Sequence, residues 1–300
     1  MSAATATTST RAPTTLSAAG EPAASRASGQ WRRFVNPLLV LGGVIVGLAI
    51  LFVIVYPMVS PHSPTEPNFS VETFAPSSWA HPLGTDNFGR DTLTRLAYGG
   101  RIDLVIAFAA TSVTLVVGGA LGLAAGYFGG WFDSLLMRLV DFTLTLPYLV
   151  LVIALVAVLG TGAWNIVYAI WLVGWVAYTR IIRAETLVAR RLEYVEAARV
   201  IGMGEHRIMF RHILPNVVSA ALIFAMADMV LNILVSTSLS FLGLGVQPPN
   251  PEWGLMVAEA RDFFLRDWRL ITYPGLAVLV VGAGFGLIGD GLAQALRPRG

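Results

Sequence analysis

The sequence predicts an all-α, polytopic membrane protein with six transmembrane helices. The chain has 300 residues, of which 55% are hydrophobic and only 13% are charged, a balance outside the range of soluble globular domains. Several uncharged runs reach the roughly 20 residues that a helix needs to cross a bilayer. The basic residues are dispersed among these runs, which indicates membrane topology and argues against nucleic-acid binding.

The residue types exclude several kinds of chemistry. The chain contains no Cys, so disulfides, thiolate metal sites and Cys nucleophiles are absent. All twenty basic residues are Arg. A nucleotide-binding P-loop and a Schiff-base cofactor both require Lys, and neither is therefore possible. We expect a chain without a cofactor of its own.

The N-terminal part divides into three segments. Residues 1–34 are rich in Ala, Ser and Thr, which predicts a disordered cytoplasmic tail. The first transmembrane helix covers residues 35–58; its apolar run is long and lacks a convincing cleavage site, so we interpret it as a retained helix and not a signal peptide. An extracytoplasmic loop then covers residues 59–103.

Residues 104–292 form the core, with five further helices, and residues 293–300 form a cytoplasmic C-terminus. Small residues on the second span predict close helix packing, and Pro147 predicts a kink in the third. An amphipathic helix is expected near Trp253. The predicted spans are Leu104–Tyr127, Asp133–Leu159, Ala163 to about Arg183, Asn216–Leu242 and Leu270–Leu287, and the small residues of the second are Gly118, Gly119, Gly122 and Gly126.

Three polar residues lie inside or beside these spans. Asp141 is near the start of the third span, where Arg138 could pair with it at helical spacing. Asp228 and Asn232 lie one turn apart in the fifth span. Ionisable groups within membrane helices usually face a cavity or the bundle interior. These residues either line a pathway or form interhelical hydrogen bonds, and both alternatives stay open.

The charged stretch between the fourth and fifth spans, within residues 185–215, predicts two short helices around a glycine hinge. Seven of the twenty Arg lie between Arg180 and Arg211. Apolar residues recur at helical spacing before Gly202, which favours a left-handed cap. Pro215 is predicted to limit the second short helix and to open the next span.

This stretch resembles the EAA motif of ABC importer permeases: Glu-Ala-Ala, three residues, Gly, then a fixed gap to Leu-Pro. In that family the loop is the coupling helix, which sits in a groove of the ATP-hydrolysing subunit. The resemblance implies that docking centres on residues 196–202. The implied ATPase-coupling residues are Glu193, Glu196, Ala197, Ala198, Arg199, Gly202, His212, Leu214 and Pro215.

A second motif is specific to fewer importer families than the EAA motif. The run from His81 to Asp91 resembles the extracytoplasmic segment of the C-type transmembrane subunit of dipeptide, oligopeptide and nickel ABC importers. Residues 137–147 and 238–254 are also similar to that subunit type. The resemblance implies a type I ABC importer permease fold. The matched positions of the second motif are His81, Pro82, Leu83, Gly84, Thr85, Asp86, Gly89, Arg90 and Asp91.

This family implies a non-enzymatic subunit of a bacterial inner or plasma membrane, with ATP and Mg bound by other chains. The implied partners are a homologous B-type permease subunit, one or two ABC ATPase subunits, an extracytoplasmic substrate-binding protein and membrane lipid. Placing both termini in the cytoplasm puts fourteen of the twenty Arg inside, as the positive-inside rule favours. The expected passenger is a dipeptide or oligopeptide, with nickel or glutathione as the alternative.

Three other interpretations were weighed. An ion-coupled secondary transporter would use Asp141 or Asp228, but no convincing internal repeat is present. An intramembrane enzyme would need a Ser/His pair within the spans, whereas all four His fall in predicted loops or at their edges. The spacing of His81, Asp86 and Asp91 fits no standard metal-ligand set, so we expect a hydrogen-bonded loop network there and no metal.

Overall fold

The computed structural model describes residues 36–296; residues 1–35 and 297–300, which include the predicted tail, lie outside this range. The described chain folds into ten α-helices, with a π-helical turn at Met209–Ile213 and a 3-10 turn at Arg261–Phe263. The helices are α1 (Pro37–Val59), α2 (Thr92–Phe128), α3 (Gly130–Leu144), α4 (Tyr148–Leu159), α5 (Ala163–Ala189), α6 (Glu193–Val200), α7 (Glu205–Ile208), α8 (Leu214–Phe241), α9 (Trp253–Ala260) and α10 (Arg269–Leu296).

Five helical segments of the described chain are long and apolar enough to cross a membrane. They are α1, α2, α5, the continuous segment Glu205–Phe241 and α10. Helices α3 and α4 pass the same test together, although they bend by 88° at the break between them. Counted as one span, this pair gives the predicted total of six, and the all-α membrane fold class is confirmed.

Pro147 breaks the third span where a kink was predicted. α3 ends before it and α4 begins directly after it, because proline lacks the N–H of a continuing helix and disfavours helical backbone at the preceding residue. Two hydroxyls bond carbonyls near the break: Thr143 donates to the Leu139 oxygen at 2.9 Å, and Thr145 donates to the Phe142 oxygen at 2.7 Å. Two half-helices therefore meet at nearly a right angle.

α2 begins at Thr92, twelve residues before the predicted start at Leu104. The predicted loop of residues 59–103 therefore ends at Asp91, whose carboxylate caps the helix by accepting the Thr94 N–H at 2.8 Å. With 37 residues, α2 is about 55 Å long at 1.5 Å per residue, well beyond the roughly 30 Å hydrocarbon core. α2 is therefore longer than a helix perpendicular to the bilayer needs to be to cross it.

The most extensive helix contact joins α2 to α5 and is lined by glycine. A Cβ atom on Gly122 would lie 2.5 Å from the Thr179 carbonyl oxygen, and one on Gly126 would lie 2.7 Å from a side-chain carbon of α5. Gly118 faces the same helix as closely, whereas Gly119 has no atom of another residue within 4 Å of its Cβ position. Three of the four predicted small residues therefore form the contact.

A second glycine contact fixes α1 to the bundle. A Cβ atom on Gly42 would lie 2.7 Å from the backbone oxygen of Gly284 in α10, and one on Gly291 would lie 2.7 Å from the Leu39 backbone nitrogen. α10 in turn packs on α8, and α8 packs on α2 and α5. Residues 293–296, the first four of the predicted C-terminal segment, continue α10.

We predict that Gly122→Val destabilises the bundle by about 1–3 kcal/mol, the usual cost of overpacking, because the new side chain meets the backbone of α5. The midpoint of thermal unfolding in detergent measures this. Gly119→Val, three residues away and facing open space, is the control and should unfold like the wild type. Equal midpoints for the two variants would contradict the glycine contact.

Candidate functional site

The polar stretch after α5 forms a hinge segment, Glu193–Ile213, whose two short helices are joined at a glycine. Gly202 has a φ of +78°. Its N–H donates to the Arg199 oxygen at 2.9 Å, and the Met203 N–H donates to the Ala198 oxygen at 3.1 Å. This pair of bonds is the Schellman cap of a helix end. The prediction that Gly202 ends the first short helix is confirmed.

One face of α6 is packed against the protein. Val195 is fully buried and Ala198 is 4% exposed. Both belong to a hydrophobic cluster to which α2, α5, α7, the π-helical turn and α8 also contribute, with members including Leu123, Ile182, Ile208, Ile213 and Val217. The last residue of the Glu-Ala-Ala triplet thus joins the core, so a shift of α6 must displace the helices packed against it.

The other face of the hinge segment is open. Among the predicted coupling residues, His212 and Leu214 are partly buried, and the exposed ones are Glu193, Glu196, Ala197, Arg199, Gly202 and Pro215. Val200 and Ile201 lie within the predicted docking range, residues 196–202, but are not among the individually named coupling residues. They are 87% and 75% exposed at the tip of the segment. An apolar tip rimmed by charges is typical of a protein interaction surface.

Polar contacts fix the hinge segment to the end of α2. The Arg190 guanidinium donates to the carbonyl oxygens of Gly126 and Tyr127 at 3.0 and 3.2 Å, and so caps the last turn of that helix. The Tyr127 hydroxyl bonds Glu205, whose carboxylate lies 3.6 Å from the Arg199 Nε atom. The position of the hinge segment therefore depends on α2.

Pro215 does not limit the second short helix, contrary to the prediction. Helical backbone continues from Glu205 to Phe241, and Pro215 lies in the first turn of α8. The π-helical turn before it shifts the bonding pattern, since the Leu214 N–H bonds the Met209 oxygen, and the His212 oxygen accepts the Asn216 side chain at 2.7 Å. The backbone is therefore helical without a break from α7 through the π-helical turn into α8.

The two polar residues of the fifth span join three helices. The Asp228 carboxylate accepts the Tyr178 hydroxyl of α5 at 3.0 Å and the Asn232 amide at 3.1 Å. The same Asn232 nitrogen lies 2.9 Å from the Thr111 hydroxyl of α2. Asp228 is 8% exposed and Asn232 is fully buried. Interhelical bonding, one of the two predicted alternatives, is present.

Asp141 is placed differently from Asp228. It is exposed on α3, and it forms no ion pair with Arg138 within the described residues. The ion pair of this region is instead between Asp133 and Arg183, where the Arg183 Nη2 atom lies 2.7 Å from an Asp133 oxygen. The pair ties α3 to α5. Helical spacing alone indicated a pair that is not formed, and the ion pair of this region instead joins two different helices.

The second motif folds into a compact turn before α2. The Asp86 carboxylate accepts the Phe88 and Arg90 N–H groups, both at 2.9 Å, and the Arg90 Nε at 2.7 Å. Gly84 and Gly89 have φ values of +78° and +70°, which side chains disfavour. Arg90 therefore forms an ion pair with Asp86, while Asp91 caps the helix.

Two residues that sequence reasoning missed extend this turn into an ion cluster with α9. Arg95, 2% exposed, donates to the Glu259 carboxylate at 2.6 Å. The Arg95 Nε atom lies 3.5 Å from Asp86, and an Arg90 nitrogen lies 3.6 Å from Glu259. We name this set, Asp86, Arg90, Arg95 and Glu259, the outer ion cluster. It links the start of α2 to α9.

α9 is the predicted amphipathic helix near Trp253, and it also packs on α2. Glu252 caps it by accepting the Gly254 and Leu255 N–H groups at 2.9 and 2.8 Å. The Trp253 N–H donates to Asp103 at 3.1 Å, and its indole N–H donates to the Leu96 oxygen at 3.0 Å. Glu is not among the usual N-cap residues, so the sequence carried no clear signal for this cap.

Comparison with known proteins places this geometry in context. The family described as binding-protein-dependent transport system inner membrane component matches residues 118–299. The family described as N-terminal TM domain of oligopeptide transport permease C matches residues 25–76. Both matches agree with the resemblance that the two motifs indicated.

Three relatives cover nearly the whole chain. The di/tripeptide transport system permease protein DppC of Pseudomonas aeruginosa is 41% identical, over 90% of this chain and 91% of the relative. The glutathione transport system permease protein GsiD of Pectobacterium atrosepticum is 39% identical, over 90% of each chain. The dipeptide transport system permease protein DppC of Bacillus subtilis is 35% identical, over 93% of this chain and 87% of the relative.

We predict that Glu259→Gln lowers the free energy of unfolding by about 3 kcal/mol, the low end for breaking a buried ion pair, because the buried Arg95 charge loses its partner. Chemical denaturation of the purified chain measures the loss. Asp262→Asn removes an exposed ion pair with Arg261 and is the control, with a change within about 0.5 kcal/mol. A similarly small loss for Glu259→Gln would show that the outer ion cluster adds no stability.

Proposed function

This chain belongs to the family of binding-protein-dependent transport system inner membrane components, and we propose that it forms half of the translocation pathway of an ABC importer for dipeptides or oligopeptides. It is a permease component and not an enzyme. In this proposal separate subunits bind ATP and Mg, and the hinge segment couples their hydrolysis to transport. The exposed apolar tip at Val200 and Ile201, rimmed by charges, carries the proposal.

The hinge segment has the properties of a docking element. Its open face combines the carboxylates of Glu193 and Glu196 with the large apolar side chains of Val200 and Ile201. Exposed apolar side chains favour burial against a partner, and the charges around them provide orientation and specificity. The resemblance to the EAA motif supports an ABC ATPase subunit as that partner.

Movement of the docked segment has a route into the membrane. Val195 and Ala198 transmit a displacement of α6 to the hydrophobic cluster, and the π-helical turn makes α7 continuous with α8. α8 in turn carries Asp228, which bonds α5. We propose that closure of the ATPases shifts α5 and α8 together and switches the pathway between two arrangements, both biased by the same element.

The proposed topology places the hinge segment and both termini in the cytoplasm, and the motif at residues 81–91 outside. The Arg bias supports this orientation, as does the concentration of guanidinium groups around α6. The outer surface then faces a substrate-binding protein, and a homologous B-type permease completes the pathway. The location is the inner or plasma membrane of a bacterium.

The passenger follows from the relatives. Those described above are named for di/tripeptides, dipeptides and glutathione. A dipeptide or short oligopeptide is therefore the proposed substrate, and glutathione is the second candidate because one relative at 39% identity carries that name. Nickel has no support among these three relatives.

We predict that Val200→Asp abolishes docking of the ATPase subunits without altering the stability of the permease. The side chain is 87% exposed, so its replacement leaves the core intact but places a charge where an apolar contact is proposed. Co-purification of ATPase subunits with the tagged permease should fall about tenfold or more. Leu265→Asp, at a position 99% exposed between α9 and α10, is the control. Unchanged co-purification in both variants would contradict the docking site.

We predict that Gly202→Pro leaves the complex assembled but uncouples ATP hydrolysis from uptake. Proline requires a φ near −65°, whereas Gly202 has +78°, so the angle between α6 and α7 must change. The control is Gly204→Ala, because Gly204 has a φ of −64° and open space around it.

The readout is uptake of labelled dipeptide, glutathione and nickel, each supplied separately to cells that lack the chain and then express a variant. Wild type and Gly204→Ala should restore peptide uptake, and Gly202→Pro should not. Restoration of nickel uptake alone would overturn the proposed passenger. Uptake that persists after ATP depletion would favour the ion-coupled alternative.

A further inference from the structure

His62, His81 and Asp91 meet where the loop after α1 reaches the start of α2. One potential ligand atom from each lies within 4.8 Å of the others, and the two imidazole ring centroids are 4.6 Å apart. His81 and Asp91 are buried and His62 is half-buried. The sequence indicated a hydrogen-bonded network and no metal at His81, Asp86 and Asp91. In the structure Asp86 belongs to the outer ion cluster, and His62 lies beside His81 and Asp91 instead.

The hydrogen bonds of the two imidazoles define which nitrogens are free. The His62 Nε2 atom lies 3.0 Å from the Ala80 oxygen, and the His81 Nδ1 atom lies 3.0 Å from an Asp91 oxygen. Carbonyl and carboxylate oxygens only accept, so each of these nitrogens donates an N–H. The His62 Nδ1 and His81 Nε2 atoms make no hydrogen bond within residues 36–296 and carry lone pairs in the neutral rings.

This arrangement is typical of metal-binding histidines, whose second ring nitrogen usually donates to a carboxylate or a backbone carbonyl. That outer bond fixes the tautomer and raises the basicity of the ligating nitrogen. Here both kinds of outer partner are present, one on each ring. The pattern is already formed by the protein's own contacts.

The space beside the rings can accommodate an ion with water ligands. A cavity of about 270 Å³ is lined by both histidines, Asp91, Glu66 and Asn68. Arg90 also lines it, but its charge is compensated by Asp86 at 2.7 Å and by Glu259 at 3.6 Å. An oxygen ligand from Glu66 is available across the same space.

We propose that His62 and His81 bind one divalent transition-metal ion of the zinc, copper or nickel class, with Asp91 orienting His81 and Glu66 supplying an oxygen ligand. Imidazole nitrogen suits these ions. Two ligands of one zinc ion are at most about 4.2 Å apart, twice the Zn–N bond length, so we expect the two rings to adjust until their free nitrogens meet this limit. The site is separate from the proposed passenger and from the hinge segment.

Binding would fasten α1 to α2. His62 follows the end of α1 by three residues, and Asp91 caps α2. The hydroxyls of Ser60 and Thr94 already meet there at 2.6 Å. An ion that binds the folded chain raises its apparent stability in proportion to the logarithm of its concentration over Kd. Thermal stability therefore provides a readout that does not depend on transport.

The test uses the full chain, purified with a peptide tag free of histidine, treated with a chelator and titrated with ZnCl₂ by calorimetry. We expect one ion per chain, micromolar or tighter affinity and a rise in the unfolding midpoint. His62→Ala should weaken binding by more than about 100-fold, beyond the 10–100-fold loss typical of a supporting residue. Glu66→Gln should weaken binding while leaving the metal-free midpoint unchanged, because Glu66 is exposed.

His206→Ala is the control, because His206 is exposed on α7 and should leave zinc binding intact. A wild-type chain that takes up no zinc overturns the proposal. Undiminished binding by His62→Ala does the same. Neither result bears on peptide uptake, so failure of the metal site and failure of the transport function are distinguishable.

Discussion

The close contact of α2 and α5 is the constraint on which the rest of the structure depends. Glycine at three positions one turn apart lets the two backbones approach to a distance that any side chain would prevent. Both ends of α2 make the contacts that position other elements. Its first turns bear Arg95 of the outer ion cluster and the contact with α9, and its last turn bears Tyr127 and the carbonyls that Arg190 caps. Small residues thus replace the hydrophobic driving force that is missing between helices in lipid.

Local sequence patterns were sufficient to predict much of this fold, and the predictions that failed share one cause. Uncharged runs identified the spans, and glycine identified both the helix contact and the hinge. The start of α2 was missed because Arg95 and Asp103 look like loop residues until Glu259 and Trp253, far along the chain, are seen to bind them. Asp133 and His62 were overlooked for the same reason. The sequence shows which polar side chains need partners, whereas the packing of the helices determines which residues those partners are.

The motifs themselves mix two kinds of residue. In the hinge segment, Ala198 is part of the core while Glu196 and Ala197 are open to a partner, although the three are adjacent in sequence. In the segment before α2, every carboxylate of the motif is used to hold the turn and cap the helix. Resemblance to a family singles out segments, whereas only packing separates the residues that maintain a shape from those that present a surface.

The right-angle break between α3 and α4 has a consequence for how the chain is made. Irregular backbone at membrane depth is tolerated only where protein covers it or where it lines water, yet Phe142, Leu144 and Leu146 around the break are 43–66% exposed. In a newly synthesised copy, the break between α3 and α4 is therefore left uncovered by protein. In the proposed complex another subunit covers this break, so an unassembled copy should be less stable in the membrane than an assembled one.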